Sequence, residues 1–166
     1  MTITLDVTGT PAPQGSKTHV GHGRMIESSK AVKPWRTAIK AEITRTARGG
    51  QHQLLDGPVW AEIAFRMPRP KSHWRVGRFA GQVKDGFKHA EPDAYPDLDK
   101  LVRSTLDGIT ATSAVIQGRR RYGQDGHLKD DGQVVRLTAF KRYVLAGEEP
   151  GALITLLEAT SADLSA

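Results

Sequence analysis

Polar and apolar residues alternate along Thr2–Thr8, with Ile3, Leu5 and Val7 on one side, which is the period of a half-buried strand. The same alternation returns at Val59–Met67 through Val59, Ala61, Ile63 and Phe65. It recurs from Gln133 to Val144 and over Ala152–Ala159. Between these runs the period lengthens. Trp35, Ile39 and Ile43 predict a helix that reaches about Arg48, opened by Ser28-Ser29, with Pro34 in its first turn, and closed by Gly49-Gly50. Trp35 reads as a core anchor of that helix. Leu98, Leu101, Val102, Thr105, Leu106 and Ile109 predict a second helix from Pro96 or Asp97 to about Ile109, with Gly108 as a stop. The order strand, helix, strand, helix, strand, strand implies an α+β (mixed α/β) fold. One mixed β-sheet would be covered by two main helices in a single domain over residues 1–160, with 161–166 a disordered tail.

Three stretches carry no period. Gly9–Lys17 is dense in Pro and Gly and reads as an exposed loop leading to a basic rim of Lys17, His19, His22 and Arg24. The two histidines lack a third nitrogen or sulfur ligand nearby, which disfavours a metal there. From Arg66 to His89, Arg66, Arg69, Lys71, Arg75, Arg78, Lys84 and Lys88 face a single acid, Asp85, among Trp74, Phe79 and Phe87. A loop this long is functional or disordered. Cations interleaved with aromatics suit a nucleic-acid backbone and unpaired bases, and the alternative is a solvated linker. Thr110–Leu128 is polar and glycine-bearing, with a second basic knot at Arg119-Arg120-Arg121.

Composition sharpens this. The 166 residues carry a formal charge of +6 and a pI near 9.8, the excess of cations that supplies sequence-independent attraction to phosphates. No cysteine is present, which excludes disulfides and thiol chemistry and fits a reducing, cytoplasmic setting. No apolar run is long enough for a membrane span, and the N-terminus lacks a signal-peptide pattern.

The acids ask for a partner. Asp97 and Asp99 open the second predicted helix, and Asp130-Asp131 precede the third strand. Singly, each has a structural explanation. Asp97 would cap the helix, Asp99 would favour its positive end, Asp130-Asp131-Gly132 would make a turn, and Asp107 would face solvent or pair with Arg103. Together, four carboxylates near one another would repel unless a divalent cation lay among them. Mg²⁺ binds through one or two carboxylates and keeps waters for a phosphate.

Pro96-Asp97-Leu98-Asp99-Lys100-Leu101-Val102-Arg103, Leu106-Asp107 and Asp130-Asp131-Gly132-Gln133-Val134 resemble the signature P-D-x-D-N-x-x-K, L-D-x-L and D-D-x-Q-V of the RusA family of Holliday-junction resolvases. Pro11–Lys17 and Lys33-Pro34-Trp35-Arg36 also resemble phage members. The resemblance implies a Mg²⁺-dependent endodeoxyribonuclease (Mn²⁺ as a substitute) that cuts four-way DNA junctions as a homodimer, encoded by a phage or prophage and working in a bacterial cytoplasm. It implies metal-binding acids at Asp97, Asp99 and Asp131, with Asp130 as a fourth. The chain departs from the family pattern at three points. The family's catalytic lysine falls on Arg103, which keeps the charge but cannot deprotonate at accessible pH. Lys100 replaces a frequent asparagine and would supply an ammonium. The stretch from Thr112 to Lys129 is also longer than the turn expected. Under this reading Arg103 and Lys100 stabilise developing charge. DNA is held by Lys17, Arg69, Lys71, Arg75, Arg78, Lys84, Lys88, Arg119, Arg120 and Arg121. A catalytically impaired branched-DNA-binding protein is the alternative. A phosphoesterase for small substrates has no use for so much clustered positive charge.

Overall fold

A computed structural model describes residues 1–15, 17–19, 25–27 and 30–159. The anticipated helix start at Ser28-Ser29, His22, Arg24 and the tail 161–166 lie outside these residues, as do the side chains of Lys17 and His19. Strands β1 (Thr2–Thr8), β4 (Val59–Met67), β7 (Val134–Tyr143) and β8 (Gly151–Glu158) form one sheet in the order β1-β8-β4-β7. β8 is antiparallel to both neighbours, whereas β7 pairs parallel to β4, so the sheet is mixed as anticipated. Two small pairs accompany it. One joins β2 (Lys17–His19) to β3 (Met25–Glu27), the other β5 (Ser113–Ile116) to β6 (Arg119–Tyr122).

Alternation buries one face. Ile3, Leu5 and Val7, Val59 through Met67 at every second residue, and Ala152, Ile154 and Leu156 point inward. Helix α1 (Val32–Thr46) lays Val32, Trp35, Ile39 and Ile43 onto them and ends in a π-turn where Gly50 takes φ 76°. Helix α2 (Leu98–Ile109) packs on α1 through Leu101, Thr105 and Ile109. The Trp35 indole N–H donates to the Thr105 hydroxyl at 3.0 Å, so the largest core side chain leaves no polar atom unpaired. Gly108 does not stop α2. It is buried inside the helix, and a Cβ there would lie 2.7 Å from Ile39 Cδ1, so glycine serves the close approach of the two helices.

The chain from Thr110 to Leu128 is more structured than its polarity suggests, since it contains the β5–β6 hairpin. The 68–89 region winds through three short 3₁₀ turns with a bridge between Trp74 and Val83. Arg66 belongs to β4, where it pairs with Asp6 at 2.5 Å across the sheet's outer face.

Candidate functional site

Helix α2 and strand β7 meet along one side of the molecule. β7 ends beside the start of α2, where the Lys141 ammonium donates to the carbonyls of Ala94 (2.6 Å) and Pro96 (2.8 Å). Between the two elements runs a groove of about 670 Å³ lined by Leu98, Asp99, Val102, Arg103, Leu106, Asp131, Leu137 and Ala139. Its floor is apolar because α2 turns Leu98, Val102 and Leu106 towards β7, one turn apart. Asp99 and Arg103 stand four residues apart on the rim, both exposed, and Asp131 faces the same groove. Among the described residues neither Asp99 nor Asp131 has an ion-pair partner.

The other two acids are engaged. Asp97 holds the N-cap position by its backbone, but its carboxylate accepts from Lys100 at 2.6 Å instead of capping. That hydrogen bond and the ammonium's charge hold the Asp97 carboxyl below the usual carboxylate range, and Lys141 adds to it. The same contact raises Lys100. Asp130 caps the 3₁₀ turn Asp131–Gln133 through one carboxylate oxygen, Oδ1, which accepts from the Gly132 N–H at 2.8 Å. The Gln133 side-chain oxygen accepts from the N–H groups of Lys129 (2.7 Å) and Asp130 (3.2 Å), and its amide donates to the carbonyls of Leu55 and Gly57 (both 3.0 Å). The D-D-x-Q spacing is thus a reciprocal cap that leaves Asp131 free. Lys129 anchors the same turn by pairing with Asp56. Asp107 points the other way and pairs with Arg36 of α1, not with Arg103.

The structure therefore gathers Asp99, Arg103 and Asp131 into one groove, with Asp97 and Lys100 paired at its start and Asp130 buttressing its end. Among the described residues no three His, Asp or Glu side chains lie close enough to hold a metal together. Gln133 and Lys141 escaped the reading of candidate residues. The D-x-x-Q spacing could have signalled the first. Lys141 is an inward-facing residue of an edge strand, invisible until the topology is known.

Several cations assigned to DNA have partners of their own. Arg75 and Lys88 both pair with Asp85 (2.5 and 2.7 Å). Lys84 donates to the Ser72 carbonyl (2.8 Å). Arg69 donates to the carbonyls of Phe87 (2.8 Å) and Val144 (3.3 Å) and lies over the Tyr143 ring. Phe87 stacks on His73 with ring centroids 4.0 Å apart, and Trp74 is half-buried. Arg78 lies over Phe79. Lys71, Arg119, Arg120 and Arg121 make no ion pair among the described residues.

The sequence model of the endodeoxyribonuclease RusA family matches residues 6–118, more than half of the chain. The match takes in Asp97, Asp99, Lys100 and Arg103 and stops at the turn between β5 and β6, ahead of Asp130-Asp131. The DNA-binding protein RFX2 of Rattus norvegicus is 27% identical over 149 residues, 89% of this chain. The chain spans 20% of that protein's length. Helix α2 and the groove-lining side of its acidic start both fall inside the family match, and the chain belongs to the RusA family of endodeoxyribonucleases.

Proposed function

We propose that the α2–β7 groove is the cleavage site of a Mg²⁺-dependent, structure-selective endonuclease that resolves four-way junctions by paired incisions, two copies acting together. The observation that carries this reading is the convergence of Asp99, Arg103 and Asp131 on one exposed groove. The groove offers only hard carboxylate oxygens, with no His among its lining residues. Two unpaired carboxylates suit Mg²⁺, which keeps much of its water shell, better than a metal that needs a closed protein cage. Asp99 and Asp131 would hold it, joined by Asp97 if Lys100 moves to a phosphate. When bound, Mg²⁺ would polarise the phosphoryl oxygen and favour ionisation of a water. Arg103 would donate to a non-bridging oxygen and meet the charge that grows there, a role needing no proton transfer. Lys100 would offer its ammonium to the same phosphate or its neighbour.

Dimerisation has a surface to act through. β7 is an edge strand of ten residues paired on one side only, and it exposes Val135 (55%) and Leu137 (44%). Such an edge is a template for another strand. Pairing β7 with a second β7 across a two-fold axis would join two sheets and set two grooves in one particle. One feature favours the alternative of a DNA-binding protein with impaired chemistry: arginine replaces the family's lysine where no three-acid set is assembled.

A synthetic four-way junction and a linear duplex of the same sequence, incubated with Mg²⁺, Mn²⁺ or a chelator, separate the readings. Symmetric metal-dependent nicks on the junction alone are expected. Asp99→Asn should lower the rate by about a hundredfold or more, the scale of losing a charge-organising group at the reacting phosphate, with junction binding kept. Full Mg²⁺-dependent cleavage by a folded Asp99→Asn protein would overturn the assignment. Binding without cleavage in either metal would favour the alternative.

A further inference from the structure

The β5–β6 hairpin takes no part in the groove, and its second strand lies beyond the family match. Ser113, Ala114, Val115 and Ile116 pair with Tyr122, Arg121, Arg120 and Arg119. Gln117 (φ 51°) and Gly118 (φ 72°) close it, both left-handed, as a two-residue hairpin turn requires. Residues 113–121 are all exposed, and Val115 (68%) and Ile116 (57%) have nothing to pack against. Side chains alternate, so Val115 shares one face with Arg120 and Ile116 shares the other with Arg119. An isolated hairpin is marginal in water. This one is latched at its base. Gly123 N–H donates to the Thr112 carbonyl at 2.8 Å, and Asp125 accepts from the Thr112 N–H (2.9 Å) and hydroxyl (3.0 Å). Asp125 also pairs with Lys40 of α1 at 3.1 Å. The Tyr122 ring lies 5.8 Å from the Lys129 ammonium, directly before the acid turn, so the ribbon rises beside the end of the groove that carries Asp131.

An exposed apolar tip flanked by three unpaired arginines is complementary to nucleic acid. We propose that the hairpin is a wedge for the DNA branch point. Val115 and Ile116 enter between base pairs where the strands exchange, and Arg119, Arg120 and Arg121 bind the phosphates on either side. A two-stranded ribbon is narrow enough to enter a DNA groove. Apolar side chains inserted between base steps must unstack them. Stacking is already interrupted at a branch point, so insertion there costs less than in continuous duplex. The wedge therefore favours branched over linear DNA. This inference rests on the junction-nuclease reading of the groove and adds the means by which the branch is recognised.

The test uses the full chain with Ca²⁺ in place of Mg²⁺, a four-way junction carrying 2-aminopurine at the branch, and a matched linear duplex. The Val115→Thr/Ile116→Thr variant keeps β-branching, and circular dichroism checks the fold. Wild type should prefer the junction and raise the 2-aminopurine fluorescence. The threonine variant should bind duplex as before but lose roughly tenfold of its junction preference, together with the fluorescence rise. Arg119→Gln/Arg120→Gln/Arg121→Gln should weaken binding to both DNAs and lower the salt slope by about three phosphate contacts. A threonine variant that keeps the preference and the signal, beside a discriminating wild type, would overturn the wedge and leave the groove assignment standing. A wild type that does not distinguish junction from duplex would overturn the functional reading and the wedge with it.

Discussion

His127 is fully buried, and the environment that surrounds it decides its charge. Its Nδ1–H donates to the Gln53 carbonyl at 2.7 Å, while Nε2 is buried without a partner. The His52 ring is stacked against it, 5.5 Å away. Burial pushes the imidazole's pKa below its ordinary value, His52 pushes it further, and the bond to Gln53 only partly opposes this. The sign follows from linkage. The unfolded chain takes up the proton more readily than the folded one, so the stability His127 contributes is complete above about pH 6.5 and declines as pH falls below it. Glu148 acts in a separate window. Gripped by Arg142 through two hydrogen bonds of 2.6 Å and by the Leu145 N–H, its pKa is lowered to about 2. Its contribution is present above about pH 4.5 and is lost towards pH 2. Thermal melts between pH 7.5 and 5 should show a falling midpoint that His127→Gln flattens, while Glu148→Gln leaves that interval unchanged. An equal slope in the histidine variant would discount the burial argument.

At the scale of elements, α2 joins core and groove. Its inner face meets Ile39, Ile43 and Trp35 of α1, and its rim carries Asp99 and Arg103. Ile39→Ala should cost roughly 2–5 kcal/mol, the range for removing a buried aliphatic side chain, read as a lower urea midpoint at unchanged slope. Strands β1, β4 and β8 and both helices were legible in the sequence because each buries one face, which imposes a period on its apolar residues. β5 and β6 bury nothing, so the hairpin left no such period, only a basic knot. The acid pair at Asp130-Asp131 was visible as charge, but its division into a cap and a free carboxylate depends on Gln133 reaching Leu55 and Gly57. The pairing of Asp107 with Arg36 depends on how α1 crosses α2, and helical spacing within α2 alone pointed to Arg103 instead. The basic loop was read correctly as lacking period. Two of its arginines are engaged within the loop, Arg75 by the single acid Asp85 and Arg69 by the Phe87 and Val144 carbonyls, and Arg78 lies exposed over Phe79.

For the whole molecule, the mixed sheet has one helix-covered face and two edge strands among the described residues, β1 and the longer β7. Val135→Lys places a charge on that edge without touching the buried core. Light scattering with size-exclusion chromatography should find wild type as a dimer and this variant as a monomer with an unchanged circular dichroism spectrum. A wild-type monomer at micromolar concentration would remove β7 as the seam between copies. The positive charge lies mostly outside the groove, in the 68–89 loop and the hairpin, so on the proposed reading long-range attraction to DNA and local chemistry would belong to different parts of the chain. The hairpin leaves and re-enters the body at Thr112 and Gly123, a single hydrogen bond apart, and shares no core residue with it. Such an appendage can be lengthened, trimmed or replaced without disturbing the packing of the body beneath it, so a change in the hairpin leaves the sheet, both helices and the groove as they are.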